Sequence, residues 1–117
     1  MSEKKILIIE DLTDMQTLFK EELGNVCSVL SAFSLSEAED LFTNHGHELS
    51  AIAVDACVPG TTPTTPPLVK KMRETFQGPM IAISSSKEYR EMLREAGCNY
   101  DCEKEALPNL LQKILAS

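Results

Sequence analysis

Three short apolar runs, Ile6-Leu7-Ile8-Ile9, Ala51-Ile52-Ala53-Val54 and Met80-Ile81-Ala82-Ile83, each stop at a polar side chain. Glu10-Asp11 follows the first run, Asp55 the second and Ser84 the third, while Lys104 closes the segment Asn99-Tyr100-Asp101-Cys102-Glu103. A continuous apolar run suits a strand covered on both faces, the condition of a parallel sheet. If these strands lie parallel in one sheet, their polar ends converge on one edge. Open α/β sheets bind ligands at that edge. Carboxylates, a hydroxyl and an ammonium gathered there point to a divalent cation and a phosphoryl group.

The segments between the runs read as helices. Thr13-Asp14-Met15-Gln16 has the form of a capping box, and Met15, Leu18, Phe19 and Leu23 follow at helical spacing up to Gly24. Val26 to Ala32 has strand composition. Ser36-Glu37-Ala38-Glu39 reads as a second capping box, with Leu41 and Phe42 behind it and Gly46 as the stop. Leu68, Val69, Met72 and Phe76 mark a third helix ending before Gly78-Pro79. Ser85-Ser86-Lys87-Glu88 caps a fourth, whose stripe is Tyr89, Met92, Leu93 and Ala96 and whose end is Gly97. Residues 99 to 103 form a short fifth strand, and the last helix carries Pro108 in its first turn and Leu110, Leu111, Ile114 and Leu115 on its apolar face. Five βα units with right-handed crossovers predict a parallel sheet with helices on both faces. Between Pro59 and Pro67 four prolines alternate with threonines. That composition predicts a stiff, extended loop over the Asp55 end of the sheet.

Length and charge narrow the function classes. A chain of 117 residues forms one domain. Its net charge of -7 argues against direct nucleic-acid binding, which demands Lys and Arg for the phosphates. No apolar stretch approaches the roughly 18 residues of a membrane span, and the run after Lys4-Lys5 is too short for a signal peptide. A cytoplasmic protein is expected, without membrane or nucleic-acid contacts. Cys27, Cys57, Cys98 and Cys102 lack paired metal spacing and are expected as thiols in a reducing compartment. His45 and His47, on either side of Gly46, are expected at the surface.

The run Lys5 to Asp11, the Asp55 to Pro59 segment, Ile81-Ala82-Ile83-Ser84-Ser85 and the stretch Gly97 to Lys104 resemble the receiver domains of two-component response regulators. The resemblance spans essentially the whole chain, in order and spacing, and takes residues 1–117 as a single receiver domain. It implies a doubly wound, flavodoxin-like (βα)5 three-layer sandwich with strand order 2-1-3-4-5. It also implies a phosphorelay role. Asp55 would take a phosphoryl group from a histidine kinase or phosphotransfer protein as an aspartyl phosphate. Mg2+ would be held by Asp11, Asp55 and Glu10, with the backbone carbonyl of Cys57 as a further ligand. Lys104 and Ser84 would contact phosphoryl oxygens. Such a domain catalyses only its own phosphoryl transfer and dephosphorylation, and its output comes from a partner. Three adjacent carboxylates repel one another, and a cation relieves that repulsion.

Several positions depart from the family pattern. Glu105 stands where the family usually has a proline after the lysine, preceded by a cis bond. Asp101 stands where it usually has an aromatic that rotates on activation, with Tyr100 one place earlier. The loop after Pro59 looks longer than usual and lacks the common Asp-Gly pair. These departures favour a rival reading, a receiver-like interaction module that signals without phosphorylation. A flavin-binding protein of the same architecture is disfavoured, because Glu10 and Asp11 occupy the place of a hydroxyl-rich phosphate loop.

Overall fold

The computed structural model describes residues 4–116. Strands β1 (Lys5–Ile9), β2 (Ser28–Ala32), β3 (Leu49–Asp55), β4 (Met80–Ile83) and β5 (Tyr100–Cys102) alternate with helices α1 (Thr13–Leu23), α2 (Leu35–His45), α3 (Pro66–Arg73), α4 (Lys87–Ala96) and α5 (Leu107–Ala116). All strand pairs are parallel, and the sheet order is β2-β1-β3-β4-β5. This is the doubly wound (βα)5 fold expected from the sequence.

Strand periodicity divides the core into two layers. Leu7, Ile9, Ile52, Val54, Met80 and Ala82 point to one face and pack with Ala38, Val69, Met72 and Leu93 of α2, α3 and α4. Ile6, Ile8, Ala51, Ala53, Ile81 and Ile83 point to the other and pack with Phe19, Leu23, Leu107, Leu111 and Leu115 of α1 and α5. Burial on both faces explains the uninterrupted apolar runs Ile6–Ile9 of β1, Ala51–Val54 of β3 and Met80–Ile83 of β4.

The helix starts differ from the sequence reading in physically informative ways. Helix α1 has Leu12 at its N-cap and no side-chain cap, so Thr13 to Gln16 is not a capping box. Gln16 turns inward instead, and its Nε2 donates to the carbonyls of Ile8, Glu10 and Ala32 at 2.9, 3.1 and 3.2 Å. The buried stripe is Gln16, Phe19 and Leu23, and Leu18 is exposed. The capping box of α2 lies two residues earlier than expected. Ser34 Oγ accepts from the Glu37 N–H and Glu37 Oε1 accepts from the Phe33 N–H. Met92 of α4 is likewise exposed.

The proline-rich stretch is not extended throughout. Pro66 and Pro67 open α3, at positions whose N–H groups a helix leaves unpaired anyway. Helix α3 ends at Arg73, so Phe76 lies beyond it, buried edge-on against Phe42. Gly97 ends α4 at φ +143°, a conformation that favours glycine, and a Cβ there would meet Arg73 at 3.1 Å.

Candidate functional site

Strand register brings the polar residues together. Ile9 pairs with Val54, which sets Glu10 beside Asp55. Asp55 pairs with Ile83, so Ser84 follows one step further, and Ile83 pairs with Cys102, two residues before Lys104. Glu10, Asp11, Asp55, Ser84 and Lys104 therefore share the C-terminal edge of the sheet. They arrive there from four strand ends.

Carboxylate oxygens of Glu10, Asp11 and Asp55 lie within 4.8 Å of one another. Glu10 and Asp55 are buried and Asp11 is half-buried. Lys104 Nζ sits 2.7 Å from Glu10 Oε1 and 3.4 Å from Asp55 Oδ2. The contact with Glu10 is ionic rather than aligned, and it leaves Oε1 buried without a hydrogen-bond donor. Glu10 Oε2 accepts from the Leu12 N–H at 3.2 Å. Burial pushes the Glu10 carboxyl up to about 7, partly offset by Lys104, and the Asp55 charge adds to the rise. Burial also raises Asp55, opposed by Lys104 and by the Cys57 N–H that donates to its carboxylate. For Lys104 burial acts to lower the pKa, but the Glu10 and Asp55 carboxylates outweigh it and the net shift is upward.

A buried acidic cluster able to coordinate a metal is thus present. Its donors are all oxygen, the set that hard divalent cations take. Glu10 Oε1, buried with the Lys104 ammonium as its ion-pair partner and no aligned hydrogen-bond donor, is an oxygen a divalent cation would satisfy.

Ser84 is buried at the start of the turn into α4. Its Oγ accepts from the Ser86 N–H at 3.1 Å, which leaves its own O–H to donate elsewhere. Cys57 is buried two residues past Asp55. Burial holds the Cys57 thiol above its usual pKa and raises Cys98 and Cys102 to about 12 and about 11. None of the four cysteines forms a disulfide. At the far end of α2, His45 pairs with Glu48, away from the carboxylate cluster. The only cis peptide among the described residues is Val58–Pro59, so the Lys104–Glu105 bond is trans and still delivers the lysine to the acids.

Some residues of this edge escaped the sequence reading. Thr65 is fully buried, and its hydroxyl lies 2.7 Å from the Asp55 carbonyl and 3.1 Å from that of Ala56. Thr64 Oγ1 donates to the Val58 carbonyl and accepts from the Val58 N–H. The threonines thus fold the loop back onto the end of β3. The Gly60 N–H then reaches Asp11 Oδ2 at 3.3 Å. Gln16 anchors the ends of β1 and β2 through the carbonyls of Glu10 and Ala32. Its signal was its spacing from Phe19 and Leu23, which places an amide on an apolar stripe. Arg90 links Asp101 to the Ser84 carbonyl, a contact with no local sequence signature.

No protein-family model matches the sequence, and no curated protein matches it significantly. Solved structures do match. The receiver domain of RstA from Klebsiella pneumoniae, in its BeF3-activated form, aligns over 97% of this chain and 100% of its own with a TM-score of 0.79 at 21% identity. The chemotaxis protein CheY4 of Vibrio cholerae aligns over 97% and 99% with a TM-score of 0.78 at 20% identity. The N-terminal domain of an uncharacterized Wolinella succinogenes protein aligns over 98% and 92% with a TM-score of 0.78 at 26% identity. The chain has the fold of response-regulator receiver domains over nearly its whole length. Among the described residues, no helix is long and apolar enough to cross a membrane.

Proposed function

We propose that this chain is a phosphoacceptor receiver domain, taking a phosphoryl group from a histidine kinase or phosphotransfer protein onto Asp55. The convergence of Glu10, Asp11 and Asp55 carries this reading, with Lys104 the cation already among them. An Asp55 carboxylate oxygen attacks phosphorus as the bond from phosphorus to the donor imidazole nitrogen breaks, and that electron pair leaves with the imidazole. Glu10, Asp11 and Asp55 would hold Mg2+, with the Cys57 carbonyl as a further ligand, and the ion would supply neutralisation of phosphoryl charge. Lys104 exchanges a carboxylate for a phosphoryl oxygen and so remains paired. The Ser84 hydroxyl donates to a second phosphoryl oxygen, because its acceptor side is occupied by the Ser86 N–H. Output passes to a protein partner.

Incubation with phosphoramidate and Mg2+ tests this by intact mass. One phosphate is expected on the wild type and none on Asp55→Asn. Equal incorporation into that variant removes Asp55 as acceptor. No incorporation into the wild type favours the phosphorylation-independent interaction module, to which Asp101 and the pre-formed Lys104–Glu10 pair also lend support.

A further inference from the structure

We infer that Arg90 is a positioning residue for the chemistry at Asp55: by bridging Asp101 and the Ser84 carbonyl, it holds the Ser84 hydroxyl in place. The inference rests on the phosphoacceptor reading and extends it to a residue outside the acidic cluster.

Three hydrogen bonds fix the backbone and side chain of Ser84. Its N–H donates to the Cys102 carbonyl at a long 3.3 Å. Its Oγ accepts from Ser86 at 3.1 Å. Its carbonyl accepts from Arg90 Nη1 at 2.6 Å, the shortest of the three. The Arg90 side chain is only 16% exposed, and its Nε donates to Asp101 Oδ2 at 3.1 Å. The other Asp101 oxygen accepts from Arg94 Nη1 at 2.9 Å. One carboxylate on β5 thus holds two arginines that lie one turn apart on α4. The second arginine fixes the carboxylate, and the carboxylate fixes the first.

The elements this clasp joins have other ties. Helix α4 has its own N-cap, with Ser86 Oγ accepting from the Tyr89 N–H. Strand β5 is tied to β4 by the pairs of Ile81 to Ile83 with Tyr100 to Cys102. What the clasp adds is a restraint on the turn between Ser84 and Ser86, and that turn aims the hydroxyl. Only a guanidinium does this. Its planar fork spans carboxylate and carbonyl together, whereas an ammonium is a single point of charge. Phosphoryl transfer is sensitive to such aiming because it depends on pre-placed donors.

Phosphoramidate labelling rates in Mg2+, read by intact mass, test the role in Arg90→Gln, Arg90→Lys and Asp101→Asn, each with and without Ser84→Ala. Arg90→Gln is expected to slow labelling about tenfold, and Arg90→Lys to remain slow because it cannot fork. Asp101→Asn, which frees Arg90 without touching the site, should slow it about threefold, and it carries the test if Arg90→Gln does not fold. In the Ser84→Ala background none of the three changes should slow labelling further, and Mg2+ should still raise the melting temperature of every Arg90 and Asp101 variant. Wild-type rates in Arg90→Gln and Asp101→Asn overturn the positioning role alone. The same slowing in the Ser84→Ala background overturns it too, since Arg90 then acts through something other than Ser84. A wild type that takes no phosphate overturns the acceptor reading and this role together.

Discussion

Two clusters of paired charges flank β4, and their surroundings differ. On one side Lys104 sits between Glu10 and Asp55, with Glu10 fully buried and one of its oxygens lacking a hydrogen-bond donor. On the other, Asp101 lies between Arg90 and Arg94, one-third exposed and with both oxygens engaged by aligned donors. The first cluster has more acid than cation, and two of its carboxylates, Glu10 and Asp55, are buried. The second has more cation than acid and stays in contact with it. Buried charges cost several kcal/mol each unless fully paired, so the acidic cluster weighs on the fold, while the surface cluster is nearly neutral to it. Such a costly arrangement is what the proposed chemistry at Asp55 would require.

The largest test of this contrast is removal of the central cation on the buried side. With a chelator present at pH 8, Lys104→Met should lose about 3 kcal/mol in denaturant melts, because it strands buried carboxylates. A loss below about 0.5 kcal/mol would make the two clusters energetically equivalent. Adding cation is the converse. At about 100 times its Kd, Mg2+ should stabilise the wild type by about 2.7 kcal/mol. Asp11→Ala should respond far less, and an equal response removes Asp11 from the metal shell.

The pH dependence sharpens the same point. The folded Glu10 pKa of about 7 lies above its ordinary 4.5, so between these values the folded state holds a proton that the unfolded chain has lost. Stability of the metal-free protein should therefore fall as pH rises from about 4.5 to about 7. The raised pKa of Asp55 acts in the same sense. Glu10→Gln should flatten that part of the profile, and an unchanged slope assigns it to other groups. Thr65→Val removes a buried hydroxyl from the Asp55 and Ala56 carbonyls and should cost about 1.5 kcal/mol. The smallest effect is expected at the surface cluster, where Arg94→Ala should change stability by about 0.5 kcal/mol or less. A loss of several kcal/mol there would erase the comparison.

The same contrast explains what the sequence revealed. Glu10, Asp11, Asp55 and Ser84 were legible because each follows a run too apolar for a wet strand, and parallel pairing then aligns the ends. Lys104 was legible from the short β5 before it. Gln16 was misread because a Thr-x-x-Gln pattern also describes a cap, and only packing shows that its amide closes the ends of β1 and β2. The second capping box was placed two residues late, since Ser34 and Ser36 are chemically alike and only the entry of the chain decides between them. Pro66 and Pro67 looked like loop because composition does not show where a helix begins. The contacts of Asp101 with Arg90 and of Gly60 with Asp11 join different elements, and no local pattern encodes them.

The central claim is that Asp55 receives the phosphoryl group. Borohydride reduction of phosphoramidate-treated protein, followed by peptide mapping, tests it most directly, because hydride converts an acyl phosphate to an alcohol and leaves a free carboxylate untouched. Reduction of Asp55 to homoserine, dependent on Mg2+ and found nowhere else in the chain, is the predicted result. Reduction at another acid, or a phosphate that survives on a serine or threonine with Asp55 unmodified, would contradict it.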